Sequence, residues 1–382
     1  MRKFPEFKEP NTEIMNQYAR YMSLIGKKDR TIFGDLWNLK PFFDYLGEKS
    51  AKEVTRQDME DYILHRKQKV GPTTVHNGII SLRSFYKWAK MNGEYCLEDD
   101  LFKNIKTKQP KNNLPVDEVL LPEDILKMRD VANNQRDRAL VMVLWDSAVR
   151  KGELLNINIG HVQFDKYGAV VIVNGKTGKR RVRLIDSVPD LQLYLNMHPL
   201  RNEPGEPLFI TDRKYDGNYR RLNEQTVNNI LNALAERAGL MKNVYPHAYR
   251  HGKLTWLSKQ GFNEMELRIF AGWTKESNMP ATYLHLSGAD IEKKILQKSG
   301  VIEDKTEEKQ KELRPIECPR CKTKNPVGAK YCSSCSMIID QETAIKLDET
   351  EKIYSESLNT ILRGKIDEIV KERVIEILKT IK

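Results

Sequence analysis

Apolar and polar residues alternate along this chain with a helical period over most of its length and with a strand period in one short stretch. Ile14, Tyr18 and Tyr21–Met22 recur at helix spacing, and Trp37, Phe42–Phe43 and Leu46 extend the pattern until Gly47 stops it. Thr55 reads as the N-cap of RQDMEDYILHRKQK, where Asp58 makes the first turn acidic. Gly71-Pro72-Thr73 opens a further helix in which Val75, Ile79, Leu82, Phe85–Tyr86 and Ala89 line one side. Trp37, Phe85 and Trp88 are expected in the core. The pattern predicts a flexible arm over 1–10 and an all-helical domain over 11–100. A lysine-rich, proline-marked linker follows over 101–119.

The period changes further on. Leu121-Pro122-Glu123-Asp124 looks like a helix start with proline in the first turn, and RDRALVMVLWDSAVRKGELLNI (136–157) contains a helix apolar enough to be buried. VVIVNGKTGKRRVRLI (170–185) alternates like a β-hairpin turning at Gly175–Gly178, and QTVNNILNALAERAG (225–239) is again amphipathic. A short helix starting near Pro280 and a last helix over SGADIEKKILQKSG (287–300) complete a second domain placed at 120–299. The fold class is therefore mainly α with a small β-sheet in the second domain (α+β). A charged linker (300–313) leads to a cysteine-bearing module (314–340) and a C-terminal amphipathic helix (341–382). Along that helix Leu358, Leu362, Ile366, Val370 and Val374 recur every four residues, followed by Ile377 and Ile381. The stripe calls for a partner: this protein itself, a sister subunit or a coiled coil.

Composition narrows the class. At 382 residues the chain has room for two or three domains, and a net charge of +11 with pI near 9.2 suits a polyanionic partner. No apolar run reaches the roughly 18–20 residues of a membrane span, and MRKFPEFKEP is followed by no apolar stretch of the signal-peptide kind. A cytoplasmic setting is expected. Four of the five cysteines form C-x2-C-x10-C-x2-C at Cys318, Cys321, Cys332 and Cys335, a spacing that suits four thiolates around one structural Zn2+. No open ligand position is implied. Cys96 stands alone and is expected to be a small buried residue. GKT at 175–177 is no phosphate-binding loop, because Val170 stands where that motif needs glycine.

The candidate chemistry lies in AVRKGELL (148–155), GKTGKRR (175–181) and residues 245–285. Taken singly, His247-x-x-Arg250 is an ordinary helix face, Tyr283 an ordinary core tyrosine and Arg150-Lys151 an ordinary charged helix start. Taken together, A-x-R-x-G-E-L, G-K-x-x-K, P-H-x-x-R-H, A-G-W and Y-x-H occur in an order and at distances that resemble the active site of tyrosine site-specific recombinases, the phage-integrase and Xer-type family. The resemblance covers about residues 11–299. An appended zinc ribbon is similar to that of archaeal examples.

The resemblance implies DNA cleavage and rejoining through a 3′-phosphotyrosyl link, with no catalytic metal. Tyr283 would be the nucleophile. Arg150 and Arg250 would hold the scissile phosphate with planar, permanently charged forks. His247 would donate to the phosphate or take a proton, and Lys176 would protonate the leaving 5′ oxygen. Trp273 would position groups without moving a proton, and Glu153 would orient Arg150. His251 and His285 match positions often filled by histidine, where packing and catalysis are both open.

The helical domain would close over double-stranded DNA. His76, Arg83 and Lys87 are candidates for backbone phosphates, as are Lys179, Arg180 and Arg181 on a basic tongue. Four protomers would join two duplexes, and the C-terminal helix would self-associate or take a protein partner. A type IB topoisomerase, a non-catalytic DNA-binding protein and a zinc-ribbon scaffold remain as alternatives.

Overall fold

The computed structural model describes residues 4–92, 101–103, 105, 118–175, 178–283, 296, 299 and 313–380. Two compact units emerge, Met1–Asn113 and Leu114–Lys382.

The first unit is built from α1 (Thr12–Leu24), α2 (Asp29–Leu46), α3 (Arg56–Lys69) and α4 (Pro72–Met91). The apolar faces meet around Tyr18, Leu39, Phe42, Met59, Ile79, Leu82 and Phe85, each 2% exposed or less. Edge-to-face aromatic pairs such as Tyr18–Phe85 and Phe42–Tyr62 fill this centre. Thr55 caps α3 with a reciprocal Asp58 contact, and Gly47 ends α2 at φ +60°.

Three features depart from expectation. Trp37 is 48% exposed rather than core, because its position on α2 faces out while Leu36 and Leu39 face in. The segment read as a loose arm is packed: Phe7 meets Phe43 edge-on at 5.5 Å, and Thr12 Oγ1 donates to the Phe7 carbonyl. Leu101, assigned to the linker, is 4% exposed, and Phe102 and Ile105 pack on the same core. The aromatic-rich helices leave apolar surface that these flanking residues cover.

The second unit begins with α5 (Pro122–Asp130) and α6 (Gln135–Ser147). Asn134 caps α6 through the Asp137 amide, and Ala139–Trp145 are all 1% exposed or less, so α6 is buried on every side. After α7 (Lys151–Leu155) come β1 (Val162–Asp165), β2 (Gly168–Gly175) and β3 (Gly178–Leu184), an antiparallel sheet in the order β1-β2-β3. Val173 pairs with Arg180 and Gly175 with Gly178. Helices α8 (Val188–Met197), α9 (Glu224–Arg237), α10 (Pro246–Lys259) and α11 (Glu264–Ala271) follow, then a 3-10 turn at Pro280–Thr282. Of the helix expected over 287–300, only Leu296 and Ser299 are among the described residues.

The cysteine module forms two short strands, β4 (Ile316–Glu317) and β5 (Lys324–Asn325). It sits on the second unit: Leu313 is 4% exposed within the main core, Val327 packs against that core, and Arg129 Nη1 donates to the Val327 carbonyl at 3.2 Å. Helix α12 (Gln341–Thr380) follows without a break, and its stripe is exposed, with Leu358, Leu362, Ile366, Val370 and Val374 each between 49% and 57%. Among the described residues no helix is long and apolar enough to cross a membrane.

Candidate active site

Arg150 follows directly from the end of α6. That helix stops at Ala148, a non-glycine residue in the left-handed region at φ 46°, a conformation that costs energy and is held by its surroundings. The turn aims the Ala148 carbonyl at Arg250 Nη1, 2.8 Å away. Arg250 lies on α10, 4% exposed, and its Nη2 donates to the Ala271 carbonyl at 2.6 Å. Arg150 Nη2 donates to the next carbonyl, Gly272, at 3.3 Å. Both guanidinium groups thus converge on the C-terminal end of α11, where free carbonyls and the helix dipole favour cations.

Glu153 fixes the arrangement from beneath. Its Oε1 accepts from Arg150 Nη1 at 2.7 Å, and its Oε2 accepts from the Arg150 backbone N–H at 3.0 Å and from Arg180 Nη2 at 2.7 Å. Burial pushes this carboxyl up, but the Arg150 N–H and the charges of Arg180 and Arg150 outweigh it, so its pKa lies below the usual value. Burial, then the charges of Arg150 and Arg180, lower the Arg250 pKa to about 10, which leaves it charged at neutral pH.

Arg180 departs from its expected place on a basic tongue. Lys179 and Arg181 are exposed, but the Arg180 side chain is only 14% exposed, and its Nε and Nη1 are buried with no partner among the described residues. Gly272 makes room for it. A Cβ there would stand 2.4 Å from Arg180 Nε, and the residue's φ of +62° already favours glycine. Lys176 lies outside the described residues.

The rest of the cluster sits on and around α10. His247 is at the exposed mouth of the site, where partial burial and then the charges of Arg250, Arg150 and Lys151 hold its pKa down. Trp273 lies under the Arg250 guanidinium, 5.3 Å from ring centre to Cζ, and stacks on Tyr283 with centroids 5.7 Å apart. Tyr283 closes the 3-10 turn and is 8% exposed, so the phenol is docked in its own chain's site. Burial raises its pKa to about 12, partly opposed by Arg250. Its Oη is 2.5 Å from His251 Nδ1, and its carbonyl accepts from Ser258 Oγ at 2.8 Å. His285 lies outside the described residues.

On the buried side of α10, Lys253 is 5% exposed, 3.6 Å from an Asp186 oxygen and 4.0 Å from an Asp146 oxygen, with its ammonium over Trp256 at 4.6 Å. This pinning was not anticipated. Its signal was available, since Lys253 shares a helical face with Arg250, Leu254 and Leu257.

In the first unit, His76 is half-buried and Lys87 exposed, while Arg83 donates to the Ile105 carbonyl and lies 5.6 Å from the Phe102 ring. Arg83 is thus engaged within its own unit. The four cysteine Sγ atoms lie within 4.8 Å of one another. Cys96 lies outside the described residues.

A buried tyrosine thus stands beside two arginines locked to one helix end, on helices around a small antiparallel sheet. The family model for the phage integrase family matches residues 118–289, and that for the phage integrase N-terminal SAM-like domain matches residues 14–92. The chain is 26% identical over 277 residues to the tyrosine recombinase XerA of Pyrococcus horikoshii, which spans 72% of this chain and 89% of the relative. It is also 26% identical over 287 residues to a tyrosine recombinase of Pseudothermotoga lettingae, spanning 73% and 95%. The solved pre-cleavage complex of the XerH site-specific recombinase bound to its difH substrate shares the fold, with a TM-score of 0.57 at 16% identity over 77% of this chain and 99% of that one. The chain belongs to the phage integrase family. It is a tyrosine recombinase, an enzyme that breaks and rejoins DNA strands.

Proposed function

We propose that this recombinase cuts double-stranded DNA at a specific site when Tyr283 attacks the scissile phosphate, giving a 3′-phosphotyrosyl link and a free 5′ hydroxyl. The observation that carries the reading is the convergence of Arg150 and Arg250 on the adjacent carbonyls of Gly272 and Ala271, with Tyr283 packed in the same cluster. Each arginine uses one N–H on each of its terminal nitrogens to hold its orientation, and retains further donors for two phosphate oxygens. Cations fixed before the reaction stabilise charge that grows in the transition state without reorganising. Arg180, whose buried Nε and Nη1 have no partner among the described residues, supplies a third positive charge to the same site. Lys176 protonates the departing 5′ oxygen, His247 donates to the phosphate, and Trp273 shapes the pocket.

The partner strand's hydroxyl reverses the step, so bond energy is retained and neither ATP nor a catalytic metal is consumed. Four protomers on two duplexes form the working assembly, and the exposed stripe of α12 self-associates within it. Lys87, Lys179 and Arg181 contact DNA phosphates. Cys318, Cys321, Cys332 and Cys335 hold a structural Zn2+. Sulfur separations of 3.6 Å (Cys318–Cys335) and 3.4 Å (Cys321–Cys332) sit close to the roughly 3.8 Å edge of a tetrahedral thiolate site. Two matching turns present them: the Lys322 N–H bonds to the Cys318 carbonyl, and the Ser336 N–H to that of Cys332.

Trapping the covalent complex on a nicked suicide duplex and sequencing the attached DNA tests the reading. A defined site joined to Tyr283 is expected. Supercoil relaxation without recombinant products would replace it with a topoisomerase, and wild-type protein that binds DNA without any adduct would replace it with a binding protein.

A further inference from the structure

We propose that His251 is the group that removes the phenolic proton of Tyr283 as the phosphotyrosyl bond forms. This rests on the recombinase reading above and assigns a catalytic role to a residue outside the arginine, lysine, tryptophan and His247 set. The Tyr283 Oη lies 2.5 Å from His251 Nδ1, and the two rings are near-parallel, 29° apart with centroids 5.7 Å apart. Of the other described groups around the phenol, Trp273 offers only a donor, Arg250 is cationic and Tyr245 is a second phenol, a far weaker proton acceptor than an imidazole. His247 has its ring centre 6.4 Å from that of His251, and among the described residues no hydrogen bond joins it to the phenol.

The charge states match this role. Burial keeps the phenol protonated at neutral pH, so it needs an acceptor before it can attack. His251 is kept neutral by burial and then by His247 and Arg250, the charged or titratable neighbours on its own helix; Tyr283 faces it from the 3-10 turn, with Tyr245 near the phenol. A neutral imidazole presents an acceptor nitrogen. The mechanical coupling is also short. Ser258, two helical turns along α10 from His251, holds the Tyr283 carbonyl, so nucleophile and base are referenced to one helix.

In the step itself the Oη–H bond breaks and an Nδ1–H bond forms, while Oη bonds to phosphorus. The bond from phosphorus to the 5′ oxygen breaks, and that oxygen takes a proton from its own donor, Lys176. On rejoining, the imidazolium returns its proton to the departing phenolate. The incoming phosphate's negative charge offsets the imidazolium formed beside Arg250.

The test uses the full chain and single-turnover cleavage of a nicked suicide duplex across pH. His251→Gln can still face the phenol with an amide oxygen but cannot carry the proton, and cleavage at pH 7 should fall about 100-fold or more, the usual worth of a general base. The unaltered protein should lose activity only as pH drops below about 6.5, the ordinary imidazole value, and the variant should lack that limb. Placing difluorotyrosine, a more acidic phenol, at position 283 should restore most of the activity of His251→Gln while changing the parent little. DNA binding within about threefold of the parent checks the fold, and His251→Asn serves if the glutamine variant misfolds. An unchanged acid limb in the variant, or a defect that fluorination does not reduce, would make His251 a positioning residue and overturn the proposal. Unaltered protein that forms no adduct at all would instead sink the recombinase reading on which it rests.

Discussion

Replacing Glu153 with glutamine removes one charge and almost no volume, and the consequence can be worked from the contacts. The carboxylate is 4% exposed, and its two oxygens together accept three N–H groups. A glutamine has one oxygen and one NH2, so one of the two places must set donor against donor. Oxygen in the Oε2 position keeps both the Arg150 backbone N–H and Arg180. The NH2 then faces the Arg150 guanidinium and releases it.

One charge-assisted hydrogen bond of about 1.5–3 kcal/mol is lost, and Arg150, Arg180 and Arg250 are left without their shared counter-ion. A destabilisation of about 3 kcal/mol, the low end for breaking a buried ion pair, is expected. At about 2–4 °C per kcal/mol, this lowers the Tm by about 6–12 °C. Cleavage should fall about 10–100-fold, since Arg150 loses its orientation in the transition state by an amount worth about 1.4–2.8 kcal/mol. DNA binding should hold within about threefold, because most contacts to DNA lie on phosphates elsewhere.

The sign with pH follows from the depressed carboxyl pKa. Glu153 contributes its stability above the unfolded carboxylate value of about 4.3, and that stability disappears as pH falls through the lower folded value. The Tm gap between parent and variant should therefore narrow in acid. Thermal unfolding across pH, paired with single-turnover cleavage at 25 °C, reads both effects. A glutamine variant with full cleavage and a pH-independent Tm gap would show that the carboxylate does not orient Arg150.

Arg250→Ala should lower cleavage by about 1,000-fold or more while filter binding to duplex DNA survives, since its donors serve the developing charge; parallel loss of both would refute that division. Lys176→Ala should regain activity on DNA with a 5′-bridging phosphorothiolate, whose leaving group needs no proton; no rescue would remove the general-acid role. Gly272→Ala meets both a left-handed φ and Arg180 Nε at 2.4 Å, so it should cost about 1–3 kcal/mol in denaturant titration and weaken cleavage more than DNA binding. Chelating the ribbon's metal should unfold residues 314–340 and free Leu313 and Val327 from the catalytic core. The Tm should then drop by about 4–8 °C, about 2 kcal/mol of apolar burial, with cleavage at 25 °C retained.

Local periodicity was enough for the four helices of the first unit, for α6 and α9, for the β2–β3 hairpin and for the four-cysteine module, because each is specified by residues a few positions apart, whereas the short helices α8 and α11 were not read. Glycine 47, the Thr55 cap and Pro280 mark ends that the structure places at the same residues. The misreadings came where composition was weighed above period. Arg180 belongs to the run KRR, which reads as a solvated tongue, yet strand alternation puts it on the same face as Val182 and Leu184, both buried. Parity alone would have turned it inward towards Glu153. Lys253 was passed over in the same way, as one more lysine on a helix, although it sits on the face that carries Leu254 and Leu257.

Other relations have no local signal at all. That Gly272 must lack a side chain follows from Arg180, which is remote in the chain and adjacent in space. The pairing of Tyr283 with His251 spans 32 positions and exists because α10 and α11 fold back so that Ser258 can hold the Tyr283 backbone. Motif order identifies which residues must meet in a recombinase, but it does not say which of two histidines one turn apart meets the phenol. His247 and His251 lie on neighbouring turns of one helix and differ in partner only once the 3-10 turn at Pro280 sets where the tyrosine enters. Roles that depend on such an approach are properties of the packing, and the loop between Trp273 and Pro280 decides them as much as the catalytic residues do.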